Sequence, residues 1–199
     1  SGGSFTITVS DGSLCTASQV LSLIAPPAIN FTSVTKTNVL CNGIPTGTIT
    51  AQASGGSGVI NYTLQPVNTT NNSGTFTTLA IGTYTVIATD ANGCSVTSTV
   101  NITQPTVLNL GSVIAVPASC IPGNNGSLTI NASGGTAPLG YSIGSGSQAT
   151  SLFTGLGAGI YTATVIDANG CSVTSTATII VPNGPAINNV AITQVSCAN

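Results

Sequence analysis

The side chains of this chain that could do chemistry are three aspartates and six cysteines, and each aspartate stands four residues before a cysteine. The pairs are Asp11 and Cys15, Asp90 and Cys94, and Asp167 and Cys171, and the remaining cysteines are Cys41, Cys120 and Cys197. Carboxylates can transfer protons or bind cations, and thiols can bind zinc or form disulfides. Which of these the chain can perform depends on the other polar side chains that accompany them.

Most catalytic and ligand-binding chemistry is excluded by what the chain lacks. It has no histidine, glutamate or arginine, and Lys36 is its one cation. A Ser-His-Asp triad needs histidine, glycoside hydrolysis needs a second acid, and nucleic-acid binding needs a basic patch. Zinc sites favour closely spaced Cys or His ligands, and calcium usually takes several carboxylates. We therefore expect no catalytic residue, no cofactor, no metal site and no nucleic-acid partner.

The aspartate–cysteine pairs belong to an internal repeat. The stretch 41–94 reads again at 120–171, and Tyr84 of the first copy matches Tyr161 of the second at an offset of 77 residues. The first copy is two residues longer in the polar stretch Pro66–Gly74. Loops tolerate such length changes at little cost. The repeat is therefore about 78 residues long, the size of a small sandwich domain.

The repeat predicts four segments along the chain. Residues 1–27 are expected to be the last strands of a preceding repeat, and residues 183–199 the first strand of a following one. Two full repeats lie between them, at 28–105 and 106–182. We expect the sequence to be a window from a longer array of such units.

The patterning predicts strands and no helices. Residues 84–90 and 94–102 are rich in β-branched side chains with period-two alternation, and the Ala-Asn-Gly between them suits a hairpin turn. Aspartate can accept backbone N–H groups in such turns, which assigns a turn-capping role to Asp11, Asp90 and Asp167. No apolar run approaches the length of about 18 residues that a membrane-spanning helix needs, so we expect no insertion into a membrane.

The glycine turns that precede Tyr84 and Tyr161 indicate the class of sandwich. A tyrosine in this position is similar to the tyrosine corner of immunoglobulin-like domains. With further strands around 47–53, 60–65 and 75–79, the expected fold is all-β. We predict tandem immunoglobulin-like β-sandwich repeats of about seven strands each, arranged as beads in a line.

The order of the short motifs carries a family resemblance. Five short motifs, taken together and in order, resemble the SprB-type repeat. They are Cys-Asn-Gly at 41–43, Ser-Gly-Gly at 54–56, Leu-x-x-Gly-x-Tyr-Thr at 79–85, Asp-Ala-Asn-Gly-Cys at 90–94 and Ile-Thr-Gln-Pro at 102–105. That repeat occurs in very large surface adhesins of gliding Bacteroidetes. The resemblance implies cell-surface display, export by a type IX pathway, and service as a long stalk in adhesion or gliding motility. The second copy departs from the pattern at Cys120-Ile121-Pro122-Gly123, which leaves the expected fold unchanged.

The six cysteines are expected to form disulfides, as regularly placed cysteines in a secreted chain do. Cys15, Cys94 and Cys171 begin the last strand of a repeat, and Cys41, Cys120 and Cys197 end the first. Bonds within repeats, Cys41–Cys94 and Cys120–Cys171, would join opposite ends of a seven-stranded sandwich, about 33 Å apart for strands of ten residues. A disulfide tolerates about 7 Å between Cα atoms. A bond between neighbouring repeats, Cys41–Cys171, avoids that distance, and the sequence leaves both schemes open.

Two functions are consistent with this composition. The first is a structural segment of a long extracellular fibre or adhesin stalk at the cell surface, reinforced by disulfides and without catalytic activity. Its partners would be neighbouring repeats of the same chain and other copies in a fibre. The alternative is an adhesion module that binds a carbohydrate or a surface through polar loops such as Pro66–Gly74.

Overall fold

The computed structural model describes residues 2–120, 123–144, 146–184 and 190. Within these ranges the chain forms fifteen β-strands and no helix, so no helix there is long and apolar enough to span a membrane. The chain divides into two compact units, Ser1–Gln104 and Pro105–Asn199. The predicted all-β class is confirmed.

The first unit begins with a hairpin that forms a sheet of its own. Strands β1 (Gly3–Ser10) and β2 (Thr16–Leu23) pair antiparallel over their full length, from Gly3 opposite Leu23 to Ser10 opposite Thr16. Every residue of both strands is exposed. The turn between the two strands contains Asp11 and Cys15.

The rest of the first unit is a sandwich of seven strands, which we call the first module. The strands are β3 (Asn30–Thr37), β4 (Gly47–Ser54), β5 (Asn61–Gln65), β6 (Thr69–Asn71), β7 (Thr75–Leu79), β8 (Gly82–Thr89) and β9 (Ser95–Ile102). One sheet has the order β3-β4-β7 and the other β6-β5-β8-β9, with all pairings antiparallel. The first strand pairs with the second in one sheet, and β5 pairs with the last two strands in the other, which is an immunoglobulin-like arrangement.

Period-two patterning explains how the two sheets hold together. In β4, Gly47, Ile49 and Ala51 are buried while the residues between them are partly exposed. In β8, Tyr84 and Val86 face the same interior. Alternation of this kind places one face of each strand in the core and the other, rich in threonine, towards solvent.

The second unit contains a second module with one strand fewer among its described residues. Its strands are β10 (Asn109–Val116), β11 (Gly126–Ser133), β12 (Gly140–Ser142), β13 (Leu152–Leu156), β14 (Gly159–Ile166) and β15 (Ser172–Ile179). They form the sheets β10-β11-β13 and β12-β14-β15. A single bridge between Tyr141 and Gln148 takes the position that β6 has in the first module. The expectation of about seven strands is therefore met by the first module, and the shorter loop of the second explains the difference.

The tyrosine of each module fastens the turn before its strand. Tyr84 Oη donates to the carbonyl of Ala80 at 3.0 Å, and Tyr161 Oη donates to the carbonyl of Gly157 at 3.0 Å. This side-chain bond to a carbonyl four residues upstream is the geometry of a tyrosine corner.

Substituting Tyr84→Phe should lower the free energy of unfolding of the first module by about 1 kcal/mol, because the Ala80 carbonyl loses its donor while the ring stays in place. Urea titration followed by tyrosine fluorescence measures this difference. Thr83→Ser, at the exposed neighbouring position, is the control and should leave the midpoint unchanged. Equal midpoints for Tyr84→Phe and the control would show that the bond contributes nothing.

Candidate functional site: the aspartate turns and the cysteines

The carboxylate of Asp90 ties together two loops that are distant in sequence. Its Oδ1 accepts the backbone N–H groups of Asn92 at 3.0 Å and of Cys94 at 2.8 Å. Its Oδ2 accepts the N–H of Ser57 at 2.9 Å, from the loop between β4 and β5. The side chain is only 4% exposed. Asp90 therefore shapes the turn before β9 and anchors the Ser-Gly-Gly loop beside it.

The second module repeats this arrangement atom for atom. Asp167 accepts the N–H groups of Asn169 and Cys171 at its Oδ1 and the N–H of Thr136 at its Oδ2, each at 2.9 Å. The backbone also closes each turn, since Asp167 N donates to the carbonyl of Cys171 at 2.9 Å. The position of Cys171 is thus fixed by the aspartate four residues before it.

The turn of the β1–β2 hairpin has the same two local hydrogen bonds to its aspartate, but a leucine replaces the glycine that precedes the cysteine in the other turns. Asp11 Oδ1 accepts the N–H groups of Ser13 at 2.8 Å and of Cys15 at 3.0 Å. Leu14 has φ of 68° where Gly93 and the equivalent glycine of the second module have φ of 83°. A left-handed conformation is unfavourable for leucine, so this turn is less stable than the two Ala-Asn-Gly turns.

Two glycines allow the loop to approach both the aspartate and the segment through which the chain comes into the module. Gly55 and Gly56 have φ of 85° and 69°. A Cβ on Gly55 would lie 2.1 Å from the carbonyl oxygen of Ala28, and one on Gly56 would lie 2.7 Å from Asp90 Oδ2. The Gly56 N–H donates to the carbonyl of Pro27 at 2.7 Å. The Ser-Gly-Gly motif is therefore a close-contact motif, and Gly134 and Gly135 repeat it in the second module.

These hydrogen bonds keep both aspartates ionised. The N–H of Ser57 is the largest influence on Asp90 and lowers its pKa, burial raises it, and the N–H groups of the turn lower it further, so the net pKa lies below the usual aspartate value. For Asp167, burial is the largest influence and raises the pKa. The N–H groups of Thr136, Cys171 and the residues between Asp167 and Cys171 together outweigh it, so the net shift is again downward.

A lowered pKa in the folded state makes the first module acid-sensitive. Unfolded aspartate titrates near pH 3.9, so the stabilisation by Asp90 is complete above that pH and is lost as the pH falls through the lower folded pKa. We expect Asp90→Asn to destabilise the first module at neutral pH and to reduce the loss of its stability in acid. Urea midpoints at neutral pH and at about pH 3 measure both effects.

The matched control for this prediction is Asp11→Asn in the exposed hairpin. Asp11 accepts two hydrogen bonds within its turn, as Asp90 does, and its hairpin forms a sheet separate from those of the sandwich. Asp11→Asn should leave unfolding of the module unchanged at both pH values. An identical acid dependence for Asp90→Asn and the wild type would contradict the assignment.

The cysteines lie at opposite ends of each module. We call the end with the aspartate turn and the Ser-Gly-Gly loop the proximal end, because the chain comes into the module there, and the other end the distal end. Cys94 precedes β9 at the proximal end. Cys41 lies at the distal end, where Val39 N donates to the carbonyl of Thr103 at 3.0 Å and Gly43 N to Gln104 Oε1 at 2.9 Å.

The second module has the same distribution. Cys171 precedes β15, and the Cys120 thiol at the other end of that strand donates to the carbonyl of Pro182 at 3.0 Å. The adjacent Ala118 N–H donates to the carbonyl of Ile180 at 3.0 Å. Each module therefore has one proximal and one distal cysteine, separated by the length of its last strand.

Cys41 and Cys171 are disulfide-bonded, whereas Cys15, Cys94 and Cys120 are free and exposed. The alternative within-repeat bonds, Cys41–Cys94 and Cys120–Cys171, are therefore absent from the structure. The reason is distance, because eight residues of β9 span about 26 Å. Cys197 lies outside the described residues.

The roles of the aspartates in their turns are predictable from the sequence, but their long-range partners are not. Ser57 and Thr136 donate through backbone N–H groups, which any residue type offers. The glycine pairs at 55–56 and 134–135 were seen only as markers of the repeat. Their recurrence next to a tyrosine-bearing strand was the available signal, since invariant glycine pairs within a repeat indicate close backbone approach.

The described residues of the two modules contain no second cluster of side chains that could form a site. Among the described residues, no group of three or more His, Cys, Asp or Glu side chains could hold a metal ion. The stretch Pro66–Gly74, expected to be a polar loop, contains strand β6, whose Thr70 Oγ1 lies 2.9 Å from Thr63 Oγ1. The aromatic rings of the first module, Tyr62, Phe76 and Tyr84, are buried, and Phe31 is partly buried.

Comparison with known proteins gives one family match and several distant structural similarities. Solved structures similar to this chain include the C-terminal 282-residue fragment of intimin in complex with the intimin-binding domain of the translocated intimin receptor (18% identity, TM-score 0.44, 76% of this chain and 64% of that one). Others are the N-terminal eight Ig domains of DSCAM isoform 1.30.30 (11%, 0.45, 90% and 28%) and domains 1–6 of the surface layer protein SbsC (13%, 0.37, 94% and 36%). This chain spans less than two thirds of the length of each. No curated protein matches it at a significant level.

The family model of the SprB repeat matches residues 33–69 and 112–148. In the first module the match runs from β3 to β6, and in the second it begins in β10 and covers β11 and β12. Both matches have the same position in the repeat and the same length, and they confirm the resemblance drawn from the short motifs. The SprB repeat model therefore matches the chain twice, once in each module.

Proposed function

We propose that this chain is a structural segment of a long extracellular fibre or adhesin stalk whose consecutive modules are joined by a disulfide between Cys41 and Cys171. The observation that carries the proposal is the state of the cysteines. The two bonded ones are the distal cysteine of the first module and the proximal cysteine of the second, and the other three described cysteines are free.

A bond in this position would give a stalk resistance to extension. Cross-linking about 130 residues reduces the entropy of the unfolded chain, and disulfides of this kind contribute about 2–5 kcal/mol. It would also prevent the two modules from separating when one of them unfolds. With the domain limits we propose, 28–105 and 106–182, this bond would join the first module to the second.

The disulfide supports an extracellular location, because disulfides persist in oxidising compartments and are rare in the cytosol. The SprB match supports placement at the cell surface. Export by a type IX pathway and a part in gliding motility are what that family resemblance implies, and we include them in the proposal.

The composition supports a role without catalysis. The only buried carboxylates among the described residues, those of Asp90 and Asp167, accept hydrogen bonds from backbone N–H groups. They are occupied in shaping the turns. A binding module remains the alternative function, but the buried rings of the first module leave no aromatic platform for a sugar beside the polar stretch Pro66–Gly74.

Cryo-electron microscopy of intact cells labelled with an antibody raised against residues 1–199 tests the proposal. We expect label along thin beaded fibres that extend from the cell surface. Treatment of the same cells with a membrane-impermeant thiol reagent should leave Cys41 and Cys171 unmodified. Label confined to the cell interior, or modification of both cysteines without prior reduction, would contradict the proposal. Retention on a glycan array, lost when the stretch 66–74 is replaced, would favour the alternative.

A further inference from the structure

The first and last strands of each module lie side by side, although they belong to different sheets. In the first module β3 and β9 are neighbours, and in the second module β10 and β15 are. Both strands of a pair run from the proximal end to the distal end, because the chain comes into the module at the start of the first strand and leaves it after the last. The chain therefore enters and leaves each module at opposite ends of a parallel pair.

Hydrogen bonds cross between these two strands, and the short segments that follow them, in the first module. Lys36 Nζ donates to the carbonyl of Asn101, Val39 N donates to the carbonyl of Thr103 at 3.0 Å, and Thr103 N donates to Asn38 Oδ1 at 3.1 Å. The partners of Lys36 and Asn38 each lie 65 residues further along the chain. The two sides of the connection thus advance together, as in a parallel ladder.

The second module has the same parallel connection. Ala118 N donates to the carbonyl of Ile180 at 3.0 Å. Two residues further along on both sides, the thiol of Cys120 donates to the carbonyl of Pro182 at 3.0 Å.

Two polar side chains distinguish the first connection from the second. The positions equivalent to Lys36 and Asn38 are occupied by Ala115 and Pro117, each 79 residues later (115 − 36 and 117 − 38). The side chains of alanine and proline neither donate nor accept hydrogen bonds. The side-chain bonds of Lys36 and Asn38 therefore have no counterpart in the second module.

The direction of the strands decides how tension acts on these hydrogen bonds. When a module is extended by its chain, the first strand is drawn towards the proximal side and the last strand towards the distal side. Two parallel strands then slide lengthwise past each other, so the bonds between them are strained together rather than broken one after another. Val39 and Ala118 are buried, which keeps water away from their N–H groups and strengthens those bonds.

We propose that each module carries a mechanical clamp, formed by the parallel connection between its first and last strands, that resists extension when the Cys41–Cys171 disulfide is open. While the disulfide is closed, tension passes from Cys41 directly to Cys171, so only one strand of each pair lies in the force-bearing path. Opening of the disulfide brings both strands of each pair under load. The use of the clamp rests on the proposed function as a stalk, in which tension is the load.

Force spectroscopy of the full chain in a reducing agent tests the clamp. At constant force we expect one cooperative unfolding event for each module, with the first module unfolding more slowly than the second. Lys36→Met combined with Asn38→Ala removes the two side-chain hydrogen bonds at exposed positions. This double variant should increase the rate of the slower event at least about tenfold and leave the faster event unchanged.

Asn71→Ala is the matched control, because it removes a similar bond from the opposite edge of the same module. Asn71 Nδ2 donates to the carbonyl of Thr75 at 3.0 Å. This edge stays intact until the clamp has broken, so the control should lower the urea midpoint of the first module and unfold under force at the wild-type rate.

Equal unfolding rates for the double variant and Asn71→Ala, or a first module that unfolds faster than the second in the wild type, would overturn the inference. The extension of the oxidised wild type is recorded in the same experiment. If that extension is short but the rates are equal, only the clamp fails. Full extension of the oxidised chain would contradict the proposed function, while the rates in reducing agent would still decide the clamp.

Discussion

Pulled from its two ends, the oxidised chain should lengthen on complete unfolding by about 450 Å less than the reduced chain. A disulfide between Cys41 and Cys171 removes roughly 130 residues from the force-bearing path, and an extended residue contributes about 3.5 Å. Single-molecule force spectroscopy with and without a reducing agent measures the difference. The oxidised chain should extend by only about a third of its full contour length.

The control for this measurement is Cys41→Ser, which should give the long extension under both conditions. Cys94→Ser is the matched substitution of a free cysteine and should behave as the wild type. Equal extensions of the oxidised and reduced wild type would show that no bond spans the two modules.

Substituting Gly55→Ala should destabilise the first module by about 3 kcal/mol or more. The left-handed φ of 85° costs an alanine about 1–2 kcal/mol, and its Cβ would also stand 2.1 Å from the Ala28 carbonyl oxygen, so the chain must move at the proximal end. Denaturant unfolding gives the change in stability. The proximal N–H groups, above all that of Gly56, should also exchange faster with deuterium.

Gly93→Ala distinguishes the cost of the left-handed backbone conformation from the cost of the steric clash. Gly93 has nearly the same φ, 83°, but no atom lies within 4 Å of its Cβ position. This variant should lose only about 1 kcal/mol, the cost of the backbone conformation alone. If the two variants lost equal stability, close packing of the Ser-Gly-Gly loop would not be the reason for its glycines.

Local features of this fold follow from the sequence because they depend on neighbouring residues. Period-two patterning predicted β4, β5, β7, β8 and β9 to within two residues or so of their observed ends. The aspartate turns could be predicted for the same reason, since an aspartate reaches the N–H groups two and four residues ahead of it. The first strand was predicted to run to Cys41, but β3 ends at Thr37, where the chain turns into the distal loop.

Long-range contacts could not be predicted in this way. The hydrogen bond from Ser57 N to Asp90 Oδ2 spans 33 residues. Because its donor is a backbone N–H, no residue type at position 57 predicts it. The sequence places Cys41 and Cys94 at opposite ends of a seven-stranded sandwich. In the second module β6 is replaced by a single bridge, yet Cys120 still contacts Pro182 at the distal end. An irregular segment reverses the chain direction as effectively as a strand does.

The most direct test of the account is a map of the disulfides in the monomeric oxidised chain after its free thiols have been alkylated. With no glutamate and three aspartates, an endoproteinase that cuts before aspartate yields the fragments 1–10, 11–89, 90–166 and 167–199. A covalent link between consecutive modules through Cys41 and Cys171 predicts that 11–89 is joined to 167–199, with 90–166 released unlinked. Fragment 90–166 joined to either of the other two would reveal bonds within the repeats and would contradict the account.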